Sequence, residues 1–72
     1  VLKVVRLELE RATSKFGPMA SAHEGYAVIL EELDEFWEEV RKKRENRSYL
    51  HMREELVQIA VMAIQAIGDL EL

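Results

Sequence analysis

An all-α fold is predicted for this chain by three observations. Apolar residues recur at three- and four-residue spacing in three long segments, the spacing of one face of a helix. The strong breakers sit between those segments rather than inside them, chiefly Gly17-Pro18. No stretch carries the apolar–polar alternation of a half-buried strand with any force.

The first helix is expected from about Val1 to Ser14, with Leu2, Val5, Leu9 and Ala12 on one side. Gly17-Pro18 breaks it, in a turn that continues to Ala20. The second helix opens at Ser21, which with Glu24 forms an S-x-x-E capping box, and is expected to continue to about Lys43. Its apolar stripe is Tyr26, Ile29, Leu30, Leu33, Phe36, Trp37 and Val40, so Trp37 reads as a core or interface residue rather than a base-stacking one. Glu45 to Ser48 is a short polar connection, and a third helix is expected from about Tyr49 to Gly68, where the glycine can stop it. The two longest helices should form an antiparallel hairpin, with residues 1–72 as one domain.

A chain of 72 residues gains only about 3–5 kcal/mol from its own core and usually needs a disulfide, a metal or a partner subunit. Cysteine is absent, which removes disulfides and thiolate zinc sites and leaves oxygen-ligated metal, oligomerisation or both. Two amphipathic helices and a shorter one cannot hide Phe36, Trp37 and the apolar run of the third helix, so pairing of two hairpins into a four-helix-bundle core in a dimer is expected. The net charge of −4 argues against a nucleic-acid partner. The basic block Arg41-Lys42-Lys43-Arg44 with Arg47 fits the negative end of the second helix, with a phosphate-meeting arm as the alternative. No membrane-length apolar stretch or signal-like segment is present, and the chain reads as a soluble cytoplasmic domain; Val1 in place of an initial methionine leaves room for a longer native chain.

The acids carry the functional signal. Glu32 and Glu35 lie three apart, so their carboxylates can converge from adjacent turns, and Glu55 and Gln58 repeat the relation at the head of an apolar run, Ile59 to Ile64. Facing pairs across a hairpin would form a hard, oxygen-rich site suited to magnesium or manganese. The competing reading, a solvated acidic face, is adopted for Glu31, Asp34, Glu38 and Glu39 as judged from spacing, and for Glu24 the capping box suffices. Spacing alone leaves the metal site and the wet surface both open. His23 and His51 read as partly exposed helix-end histidines, and Met19, Met52 and Met62 as packing.

The stretch His23 to Glu35, followed by Glu54-Glu55-Leu56-Val57-Gln58, resembles the MazG-like group of all-α nucleoside triphosphate pyrophosphohydrolases, whose superfamily includes dimeric dUTPases and phosphoribosyl-ATP pyrophosphatases. Its signature is E-E-x-x-E with E-x-x-D on the next helix, and the resemblance spans roughly Leu7 to Leu70. The first half is met by Glu31, Glu32 and Glu35; in the second, Gln58 stands where the pattern has aspartate, which removes one charge from the ligand set. The resemblance implies cleavage of a nucleoside triphosphate to monophosphate and pyrophosphate with Mg2+, or Mn2+, in a homodimer or a tetramer of dimers. Glu32, Glu35 and Glu55 would be metal ligands, Gln58 a weaker fourth, Glu31 a further ligand or the group acting on the attacking water, and Lys15 a weak phosphate candidate. The rival readings are a non-catalytic helical interaction module, in which Gln58 marks a dead site, and, more remotely, a DNA-associated regulator.

Overall fold

The computed structural model describes the whole chain but for Phe16 and the side chain of Lys15. Three α-helices make up the described chain: α1 (Leu2–Lys15), α2 (Ala22–Val40) and α3 (Tyr49–Asp69), with a single 3-10 turn at Arg44–Asn46 between the last two. No strand occurs among the described residues, and no helix is long and apolar enough to cross a membrane.

Local chemistry accounts for each boundary. The Ser21 hydroxyl accepts from the Glu24 amide at 3.1 Å, while Glu24 Oε2 accepts from the amide of Ala20 at 2.8 Å, so the box closes one residue before the expected position. Helix α2 ends at Val40, about three residues earlier than expected. The reason is Arg47: its Nε donates to the Val40 carbonyl at 2.9 Å and the Lys42 carbonyl at 3.2 Å, satisfying chain-end acceptors that a longer helix would have consumed. Ser48 caps α3 by accepting from the His51 amide. At the other end Gly68 stays helical; Glu71 takes the left-handed conformation (φ 55°), with Glu71 and Leu72 amides bonded to the Gly68 and Ile67 carbonyls.

Helix α3 is the centre of the molecule and packs against both others. Residues 25 and 66, and 39 and 51, meet across α2 and α3, so that pair is the expected antiparallel hairpin. Val1 and Val5 lie beside Val57 and Ala60, whereas Ala12 borders a groove with Met62 and Gln65, so α1 runs parallel to α3. The apolar core is small: Val5, Ala12 and the fully buried Val61, with Leu9, Val57, Ala60 and Met62 around them. Met19 is buried separately and is fastened by its amide, which donates to Asp69 Oδ2 at 2.9 Å. It lies against Gly25, where α2 and α3 approach each other near Ala66.

The face that α2 turns to α3 differs from its apolar stripe. Buried or half-buried residues are Gly25, Val28, Ile29, Glu32, Phe36, Glu39 and Val40, whereas Tyr26, Leu30, Leu33 and Trp37 are exposed, Trp37 by 56%. Two glutamates thus occupy the inward line, at the same seven-residue spacing from Gly25 to Glu32 to Glu39. The expectation that Glu39 is a solvated surface acid is corrected: it is 2% exposed, because the chain leaving α2 folds back over it.

Candidate metal centre

Glu32 and Glu35 project from adjacent turns of α2, and Glu55 comes from the facing turn of α3. One carboxylate oxygen from each lies within 4.8 Å of the others, close enough to share one ion. Their environments differ: Glu35 is exposed, Glu32 half-buried and Glu55 buried. Glu55 Oε1 faces His51 Nε2 at 3.2 Å, but Oε2 is buried with no hydrogen-bond partner among the described residues. An unpartnered carboxylate oxygen so enclosed is costly.

The electrostatics reflect three like charges without a counter-ion. Burial, then the neighbouring Glu55 and Glu35 carboxyls, push Glu32 up to about 7. Glu35 is raised as well, chiefly by the neighbouring Glu55 carboxyl. A divalent cation would reverse both effects and would give Glu55 Oε2 a partner. The donor set is all carboxylate oxygen, matched to a hard cation such as magnesium or manganese and unsuited to a thiophilic one. The residues present therefore fit the ion that the sequence resemblance implies.

The other expected site residues take different places. Glu31 is exposed and borders, with Glu32 and Gln58, a groove of about 460 Å³ whose walls are α1 and α2 and whose floor is α3. Gln58 lies one turn along from Glu55, and its amide nitrogen donates to Glu8 Oε1 of α1 at 2.7 Å. The side chain of Lys15 lies outside the described residues.

Three further residues take part that the sequence reading did not single out for the site. Glu8 takes hydrogen bonds from Arg11 and Gln58, which together hold its carboxyl below the usual range. Glu39 accepts from Lys42 Nζ at 2.8 Å and from the amide of Ser48, and its Oε2 lies 3.3 Å from His51 Nδ1. These partners, Lys42 first, hold it down to about 2. His51 in turn touches Glu55, so Glu39 belongs to the surroundings of the three-carboxylate group. The heptad spacing from Glu32 to Glu39 was the available signal. No protein-family model, curated protein or solved structure that was compared with this chain matches it.

Proposed function

We propose that this chain is a metal-dependent nucleoside triphosphate pyrophosphohydrolase of the MazG-like kind, cleaving a (deoxy)nucleoside triphosphate to its monophosphate and pyrophosphate in the cytoplasm, in nucleotide-pool house-cleaning. The observation that carries the reading is the buried, unpartnered Oε2 of Glu55, at the glutamate position of E-x-x-D, grouped with Glu32 and Glu35 of the E-E-x-x-E motif. Glu32, Glu35 and Glu55 would hold Mg2+ or Mn2+, with Gln58 contributing through its carbonyl oxygen while its amide stays on Glu8. When bound, the ion supplies charge neutralisation of the phosphate oxygens and a site for water. Glu31, at the rim of the adjoining groove, is the candidate to accept the proton of the attacking water.

The exposed apolar residues of α2 and α3 support the further proposal that two chains pair their hairpins into a four-helix core. The test of activity is pyrophosphate release from a panel of ordinary and modified nucleoside triphosphates with Mg2+ or Mn2+, Glu35→Gln being the control. Metal-dependent release that the substitution abolishes is the expected result. No release from any nucleotide by a folded protein would refute the enzyme and favour the rival interaction module, for which the neutral Gln58 speaks.

A further inference from the structure

The site as proposed leaves one question: what keeps Glu55 aimed at Glu32 and Glu35 rather than folded away from two like charges. The answer lies on the preceding turn of α3. His51 precedes Glu55 by one helical turn, and its ring stands between two carboxylates, Nδ1 at 3.3 Å from Glu39 Oε2 and Nε2 at 3.2 Å from Glu55 Oε1. The ring's backbone is fixed in turn, since the His51 amide donates to the capping Ser48 hydroxyl at 3.1 Å. Glu39 is itself held from two sides, by Lys42 and by the Ser48 amide, and is nearly fully enclosed. A rigid anchor on α2 therefore orients a ring on α3, and the ring engages only one oxygen of Glu55.

We propose that His51 is a positioning residue for the metal centre: by engaging Glu55 Oε1 and leaning on Glu39, it leaves Glu55 Oε2 directed at the space shared with Glu32 and Glu35. This inference rests on the metal-site reading above. Hydrogen-bond partners behind a metal ligand commonly carry about 10–100-fold in metal affinity. His51 takes no direct part in holding the ion.

The two ring nitrogens can be separated by substitution. The amide nitrogen of glutamine lies as many bonds from the backbone as Nε2, and that of asparagine as many as Nδ1. His51→Gln therefore keeps the Glu55 contact, and His51→Asn keeps only the Glu39 contact. Mn2+ affinity, read from the electron paramagnetic resonance of free Mn2+ during titration, is the measurement, with circular dichroism confirming that each variant is helical. The expected result is a loss of about tenfold or more for His51→Asn and retention within about threefold for His51→Gln. Unchanged affinity in His51→Asn overturns the proposal, as does an equal loss in both variants, which would assign His51 to general support of the helix start. Absence of Mn2+ binding by the unsubstituted protein would instead overturn the metal-site reading and the inference with it.

Discussion

Glu55 combines near-complete burial with two neighbouring carboxylates, a combination that function tolerates and stability does not. Replacing it by glutamine removes one of three like charges and supplies an amide that can donate to Glu32 or Glu35. Glu55→Gln should raise the stability of the metal-free protein at pH 7.5 by about 1 kcal/mol in urea melts, while the stabilisation by Mn2+ disappears. In the unsubstituted protein, cation at about 100 times Kd should add about 2.7 kcal/mol. The same residues set the pH dependence. Glu32 is raised from 4.5 to about 7, so the folded chain holds a proton that the unfolded chain has lost, and metal-free stability falls as pH climbs through that window. Glu39 is depressed from 4.5 to about 2, so its contribution is present above the unfolded value and is lost as pH falls through the folded one. Metal-free thermal stability should therefore peak between about pH 4 and 5. Added Mn2+ should move the maximum upward, since the ion replaces the proton; a metal-free profile that rises steadily from pH 5 to 7.5 would count against the assignment.

At the scale of elements, the connection between α2 and α3 shows how one side chain can end a helix. Arg47 is half-buried on the Val40 and Lys42 carbonyls, whereas Arg44, in the same basic block, is exposed. Arg47→Ala should cost about 1–2 kcal/mol in chemical unfolding, and Arg44→Ala should stay within about 0.5 kcal/mol of the parent. Equal effects would mean that the block acts through net charge alone. The existence of three helices, the cap at Ser21 and the facing of Glu32, Glu35 and Glu55 follow from periodicity and short spacing, which are local properties. What periodicity could not supply was the side of α2 that meets α3. Two apolar lines compete on that helix, one through Ile29 and Phe36 and one through Tyr26, Leu30, Leu33 and Trp37, and a helix wheel is blind to which one the partner helix covers. Glu39 escaped for a related reason: it is enclosed by Lys42, Ser48 and His51, partners that only the return of the chain brings together. The end of α2 was set likewise by a residue seven positions beyond Val40.

For the molecule as a whole, the exposed surface is larger than its mass warrants. A compact monomer of 8.4 kDa exposes about 4,600 Å², and this chain exposes 5462 Å². The radius of gyration is 13.1 Å, against about 11 Å for a compact domain of this length. The excess area is comparable to the roughly 800 Å² that each partner contributes to a standard interface. Its location is specific. Tyr26, Leu30, Leu33 and Trp37 each follow by one residue a position on the inward line of α2, and Leu56, Ala63 and Ile67 do the same on α3. Because the helices are antiparallel, that step of ~100° turns both rows to the same flank of the hairpin. The opposite flank holds the groove with Glu24, Glu31, Gln58 and Gln65. We therefore expect a dimer at micromolar concentration by sedimentation velocity, and Leu33→Glu, which puts a charge into the apolar row, should weaken it at least about tenfold. Leu7→Glu is the matched control, since Leu7 is as exposed as Leu33 but lies on α1, away from that flank. Dissociation by both variants alike would point to charge repulsion in place of a defined interface, and a monomeric parent would remove the dimer altogether. Since Glu32, Glu35 and Glu55 all come from one chain, the Leu33→Glu monomer should keep Mn2+ affinity within about threefold of the dimer. A larger loss would mean that the second chain completes the site, joining the dimer face to the carboxylates through the shared α2–α3 packing.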